Sequence, residues 1–111
     1  MNKINYSKIA LKDLEDIGDY IAKQLKSPKT ALKTLIKIQE AIDKLYDFPY
    51  IGTPLSSIVK TDTDYRFIGS GNYLAFYRIV EKEVFIDRVL YNKRDYISVL
   101  LGDLPQDDTD I

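Results

Sequence analysis

The apolar residues of this chain change period twice. From Lys8 to about Lys26 they fall at Ala10, Leu14, Ile17, Ile21 and Leu25, spacings of three and four that define one face of a helix. Ser7 stands where an N-cap belongs. Asp13, Glu15, Asp16 and Asp19 lie in the first half of this segment, and Lys23 and Lys26 near its end, an order that complements the helix dipole. Ser27-Pro28 reads as a stop and restart: the serine caps, and proline at the first helical position lacks an N–H that would be unpaired anyway. A second helix is predicted from there to about Tyr46, with Leu32, Leu35, Ile38, Ile42 and Leu45 as its stripe. So short a joint predicts an antiparallel helical hairpin.

Phe48-Pro49-Tyr50-Ile51-Gly52-Thr53-Pro54 ends the helical part, and the polar stretch to Thr63 reads as irregular. The period then becomes two. Tyr65–Ile68 is a short strand and Gly69–Asn72 a turn. Tyr73–Val80 and Val84–Tyr91 are strands rich in β-branched and aromatic residues, joined across Glu81-Lys82-Glu83. Asn92 as a cap, with Asp95 three residues on, predicts a short helix from Tyr96 to Leu101 that Gly102 stops. Residues 3–6 alternate weakly and read as an edge strand. The predicted fold is α+β in the order β-α-α-β-β-β-α, an antiparallel helical hairpin packed on a small antiparallel β-sheet. Residues 1–102 read as one domain and residues 103–111 as a flexible acidic tail.

A length of 111 residues, 45% of them hydrophobic and 30% charged, suits one soluble globular domain. The chain has no His and no Cys. That excludes the usual structural zinc sites, Ser-His-Asp and Cys-His triads, and CxxC redox chemistry. No run approaches membrane-spanning length and no signal-peptide core is present, so a cytoplasmic protein with no membrane partner is expected. The net charge of −1 conceals an asymmetry. Four Asp and no basic residue fall in the last nine positions, leaving the rest at +3. Such a body is too mildly basic to be held on nucleic acid by bulk charge alone.

Sites for small cofactors or metals find no support. The Gly-Ser-Gly-Asn turn at 69–72 lacks the third glycine of a dinucleotide motif, Leu74 standing there, and a strand follows where a helix is needed. The acids Asp62, Asp64, Asp107, Asp108 and Asp110 do not follow the pattern of a calcium loop. No cofactor and no metal are therefore called for. The cationic residues are more informative. Lys23, Lys26, Lys29, Lys33 and Lys37 have no acid among them between Asp19 and Glu40, and they mark the hairpin tip as a candidate surface for an anionic partner, with Lys93 as a further member. Arg66, Arg78, Arg88 and Arg94 all lie in the C-terminal half, three of them in or at the start of apolar strands, where a charge needs a partner. Arg78 and Asp87 can meet diagonally as a structural ion pair if Val80 pairs with Glu83. Arg66 and Arg94 have no obvious partner and suit phosphate. Tyr65, Tyr73, Tyr77, Tyr91 and Tyr96 accompany them. Along the strands they read chiefly as core or rim aromatics, although a tyrosine with a lowered pKa can act as a general acid.

Three stretches also carry a likeness. They are Ala10-Leu11-Lys12-Asp13-Leu14-Glu15-Asp16-Ile17 with Asp19-Tyr20-Ile21; Ala41-Ile42-Asp43-Lys44-Leu45 with Phe48-Pro49 and Gly52; and Asn72-Tyr73-Leu74-Ala75-Phe76-Tyr77-Arg78-Ile79 with Val84-Phe85-Ile86-Asp87-Arg88-Val89-Leu90 and Lys93-Arg94-Asp95-Tyr96. In this order they resemble the RelE/ParE superfamily of bacterial toxins from type II toxin–antitoxin modules. The resemblance implies a growth-arresting toxin neutralised by a cognate antitoxin, with either DNA gyrase or the ribosome and its mRNA as target. A RelE-like endoribonuclease, metal-independent, would use Arg66 and Arg94 on the phosphate and Tyr96 as acid or base. Against the RelE-like pattern, basic positions are replaced by Ile68 and Leu74, and the expected tyrosine aligns with Leu100. Each missing donor would cost on the order of 10²–10³ in rate. The likeness therefore leans to a ParE-like, non-nuclease mode. The RelE-like ribosome-dependent nuclease and a non-toxic binding relative are the alternatives.

Overall fold

The computed structural model describes residues 2–102; the acidic tail read at 103–111 lies outside them. The elements are β1 (Lys3–Tyr6), α1 (Lys8–Gln24), α2 (Pro28–Asp43), β2 (Thr53–Pro54), β3 (Arg66–Ser70), β4 (Tyr73–Val80), β5 (Glu83–Tyr91) and α3 (Tyr96–Leu101). Ser7 caps α1, its Oγ accepting from the Ala10 N–H at 2.9 Å. Ser27 caps α2 in the same way, with Pro28 in the first turn. Lys26, at φ 51°, lies between the two helices and turns the chain back into a hairpin. No helix among the described residues is long and apolar enough to cross a membrane.

The five strands lie in the order β1-β5-β4-β3-β2. All neighbours are antiparallel except β1, which runs parallel to β5, pairing Lys3 with Glu83 and Tyr6 with Ile86. The purely antiparallel sheet expected from sequence is thus mixed at one edge. Only strands joined by a tight turn are forced antiparallel, and β1 is separated from β5 by the whole hairpin and three strands. The opposite edge is the two-residue β2, inside the Phe48–Pro54 segment that reads as a turn or loop ending the helical part. It is too short to show alternation, and its proline suits an edge. Asn92 is not the cap of α3: its N–H donates to the Asn72 carbonyl at 2.8 Å, and Asp95 caps the helix instead.

Alternation on β4 divides the interior into two layers. Ala75 and Tyr77 face the hairpin, where they pack with Ala10, Ile38, Ile42, Leu45, Val84, Ile86 and Val89. Phe76 faces the other way, onto Leu55, Leu90 and the apolar side of α3. The sheet is therefore covered on both faces, by the hairpin on one and by α3 with the Leu55 segment on the other.

A bulge breaks the β4–β5 register: Tyr77 pairs with Ile86 but Phe76 with Arg88, leaving Asp87 as the extra residue. The bulge falls where β1 ends, so the outer edge of β5 loses its strand partner there. Chain segment 7–13 takes over. The Ser7 N–H donates to the Ile86 carbonyl at 3.0 Å and its hydroxyl to the Asp87 carbonyl at 2.9 Å. Asp13, only 9% exposed, accepts from the Val89 N–H at 2.9 Å. The same carboxylate is gripped in two places by Arg88, Nε to Oδ2 at 2.8 Å and Nη2 to Oδ1 at 2.9 Å. One acid on α1 thus neutralises a strand arginine and finishes the edge of β5.

Removing one partner of a buried pair leaves the other charge uncompensated, so Asp13→Ala should cost about 3–5 kcal/mol in urea unfolding. Asp13→Leu combined with Arg88→Met should recover about 2 kcal/mol of that loss, since no charge is left unpaired. It should remain about 1–3 kcal/mol below wild type, because the Val89 N–H stays unpaired.

Candidate functional site

Arg66 opens β3, opposite Tyr77 of β4. Its guanidinium turns to the loop that follows α2: Nη1 donates to the Gly52 carbonyl at 2.7 Å and to the Tyr50 carbonyl at 3.2 Å. The group also lies over the Tyr50 ring, 5.0 Å from its centroid, in a cation–π arrangement. Tyr77 holds the same loop from beneath. Its fully buried hydroxyl donates to the Pro49 carbonyl at 2.8 Å and accepts from the Gly52 N–H at 3.0 Å. Gly52 is required there, since a Cβ would overlap the Tyr77 hydroxyl and lie 2.8 Å from the Phe67 carbonyl. Arg66 therefore fastens a loop. What remains open beside it is a cavity of about 290 Å³ between Tyr50, Ser56, Thr63 and Tyr65.

Arg94 belongs to a different cavity, of about 320 Å³, at the far end of β4 and β5. Asp13, Ile17 and Tyr20 of α1 form one wall, and Tyr73, Tyr91 and Arg94 the other. Tyr73 and Tyr91 meet edge to face, with ring centroids 5.9 Å apart. Tyr96 is elsewhere again, at the start of α3, with its ring 5.2 Å from that of Phe76 within the second apolar layer. Arg66 and Arg94 thus line separate cavities, and Tyr96 lines neither. The apolar substitutions are also built in: Ile68 packs against the hairpin-side layer and Leu74 against the α3-side layer.

The pair expected between Arg78 and Asp87 is present, Nε to Oδ2 at 2.7 Å, with Val80 opposite Glu83. The carboxylates of Asp87 and Asp13 hold the Arg78 and Arg88 guanidiniums above their ordinary pKa. The Tyr65, Tyr73 and Tyr77 phenols are all pushed up, chiefly by burial. That is opposite to the lowered pKa an acid–base tyrosine needs. Lys23, Lys26, Lys29, Lys33 and Lys37 are all exposed around the hairpin, and Lys93 is exposed in the turn after β5. Among the described residues, no group of three or more acidic side chains is placed to hold a metal ion.

The family model for the ParE toxin of the type II toxin–antitoxin system, parDE, matches residues 4–96. The chain belongs to this ParE toxin family. It is similar to a chain of the chromosomal ParDE toxin–antitoxin system from P. aeruginosa, at 26% identity over 82% of this chain and 96% of that one, with a TM-score of 0.69. It also shares its fold with an E. coli RelE toxin variant solved in complex with a RelBc antitoxin peptide. That likeness has 16% identity, covers 90% of this chain and 93% of the other, and has a TM-score of 0.52. No curated protein sequence matches the chain.

In this ParE-family toxin the residues that sequence reasoning missed are Asp13 and Tyr77. Its place in the first half of α1 makes Asp13 a dipole-complementing acid, yet it falls three residues after Ala10 and four before Ile17, on the apolar stripe of α1. An acid on an apolar face and a strand arginine without a named partner were together the signal for the pair. By sequence Tyr77 is one of several strand aromatics, and nothing local marks the loop its hydroxyl holds.

Tyr77→Phe should lower stability by about 1–3 kcal/mol near neutral pH, because the Pro49 carbonyl and Gly52 N–H lose a buried partner. The native phenol holds its proton more tightly than the ordinary value of 10.0. The folded state therefore binds more protons than the unfolded one above that pH, and the contribution is present below it and lost as pH rises through the native pKa. Urea unfolding from pH 8 to 11 should show a shallower alkaline decline in Tyr77→Phe than in the wild type; the remaining slope comes from Tyr6, Tyr65 and Tyr73, which are raised in the same direction.

Proposed function

We propose that this toxin acts in the cytoplasm by binding a protein target, a type II topoisomerase such as DNA gyrase, and that it arrests growth without cutting RNA. A cognate antitoxin neutralises it. The observation that carries this reading is the dispersal of the cationic and phenolic groups a nuclease would need. In-line attack on a phosphate builds negative charge that several preorganised donors must meet at one point. Arg66 gives its guanidinium to the Tyr50 and Gly52 carbonyls, Arg94 lines another cavity, and Tyr96 packs its ring at a tilt against Phe76. Ile68 and Leu74 put hydrocarbon where further donors would stand. The antitoxin partner is supported by the family match and by the similar toxin–antitoxin assemblies.

Induced expression should cause filamentation and a DNA-damage response while mRNA stays intact. Purified protein should raise the fraction of plasmid DNA cleaved by gyrase in vitro. Arg94→Ala should keep its toxicity within about twofold, whereas a phosphate-holding arginine would lose on the order of 10²–10³ in rate. Early loss of translation with cleaved mRNA, abolished by Arg94→Ala, would overturn the proposal.

A further inference from the structure

The loop that follows α2 is held by its backbone and presents its side chains. The Asn2 N–H donates to the Tyr46 carbonyl at 2.9 Å and the Phe48 N–H to the Lys44 carbonyl at 2.9 Å. The Ile51 N–H closes a turn on the Phe48 carbonyl at 3.2 Å. From beneath, the Tyr77 hydroxyl donates to the Pro49 carbonyl and accepts from the Gly52 N–H, and Arg66 donates to the Tyr50 and Gly52 carbonyls. The carbonyls of Tyr46, Phe48, Pro49, Tyr50 and Gly52 are therefore all occupied within the fold. The side chains are not: Phe48, Tyr50 and Ile51 are 62%, 66% and 50% exposed. A loop that had only to reverse the chain would carry polar residues at such positions. Two aromatic rings and an isoleucine within four consecutive residues form an apolar patch rather than scattered single side chains.

We infer that this loop is the anchor that enters a preformed apolar cleft of the toxin's protein target; that the target is a type II topoisomerase rests on the proposed function above. The backbone bonds fix the loop before any partner arrives, so little ordering entropy is lost when its rings are buried. Aromatic side chains with few torsions are the usual anchors of protein interfaces. Shape points to a folded partner. A segment that folds as it binds lies in grooves, and a projecting loop of fixed form gives it none, whereas a folded enzyme has clefts that can receive one. Charge excludes a nucleic acid. Asp43 and Asp47 in the segment, with Asp64 in the cavity beside Tyr50, outweigh Lys44 and the Arg66 guanidinium. That guanidinium is itself engaged on two carbonyls and the Tyr50 ring. Arg66, the group a nuclease would aim at phosphate, instead gives shape to a surface that a protein can meet.

The test measures binding of the full-length chain to purified DNA gyrase, and gyrase-mediated plasmid cleavage, for two variants. One carries Phe48→Ser, Tyr50→Ser and Ile51→Ser. The other carries Arg66→Met, which loosens the loop but keeps its three exposed side chains. The serines replace solvent-facing groups and keep the backbone bonds, so the melting temperature of that variant should stay close to wild type. Its affinity for gyrase should fall by at least about 100-fold, and by the same factor at about 50 and about 200 mM salt. Its affinity for the antitoxin encoded beside the toxin should stay within about twofold of wild type. Arg66→Met should lose about five- to tenfold in gyrase affinity through lost preorganisation. Wild-type gyrase affinity in the serine variant would overturn the anchor while leaving gyrase as the target. If that variant instead loses antitoxin affinity or self-association, the loop belongs to the antitoxin or to a second copy of the chain. A loss that shrinks with added salt would assign the contact to charge and overturn the apolar cleft, and full affinity in Arg66→Met would overturn the need for a fixed loop. A wild-type toxin that neither binds nor poisons gyrase would overturn the proposed function and this inference with it.

Discussion

The carboxylate of Asp13 is the point on which the two halves of this molecule close. It accepts both arms of the Arg88 guanidinium and the Val89 N–H, and it does so where β5 has run past the end of β1. A buried acid, a strand arginine and a strand-edge amide would each be costly alone. Together they compensate one another, and the arrangement sets how α1 lies against the sheet. Ser7, as the helix cap, is tied to the Asp87 carbonyl, so the start of α1 and the β5 bulge position each other.

The bulge gives this closure its geometry. Without the extra residue at Asp87, strand alternation beyond it would be reversed: Val89 would leave the hairpin face and Leu90 would leave the α3 face. With it, Val84, Ile86 and Val89 all reach the hairpin layer, while Asp87 and Arg88 line a cavity with Val99 and Leu100 of α3. Arg78 meets Asp87 there, and Arg88 reaches Asp13. Three of the four arginines are consequently occupied by the fold itself, two on carboxylates and Arg66 on loop carbonyls. Among the described residues, the cations left for an outside partner are Arg94 and the lysines other than Lys12, which pairs with Asp16 on its own helix. This division bears on function, because flexible lysines on an exposed helix suit a broad protein contact better than the tight enclosure of one phosphate.

Local signals in the sequence were strong where each residue's role depends on its near neighbours. The helical hairpin was legible from the stripes at Ala10–Leu25 and Leu32–Leu45 and from the Ser27-Pro28 restart. The β4–β5 hairpin was legible from its alternation, down to the Val80–Glu83 pairing that brings Arg78 to Asp87. The parallel placement of β1, the two-residue β2 and the cap at Asp95 were not, since each depends on what a segment meets in space. The same division runs through the candidate site. The depletion at Ile68 and Leu74 could be read from identity alone, but that Arg66 faces the Gly52 carbonyl and Tyr96 faces Phe76 could not.

By itself, then, the chain determined its element order, its family likeness and the chemistry it lacks, because periodicity, capping and the absence of His and Cys are properties of residues and short segments. The tertiary structure alone decided which charges are spent. Asp13 and Arg88 are 75 residues apart in sequence, and their meeting depends on a one-residue bulge and the stopping point of β1. A shift of one residue in strand register exchanges the faces of every side chain beyond it, so no local pattern can report which arginine is buried on a carboxylate and which is left to meet a partner.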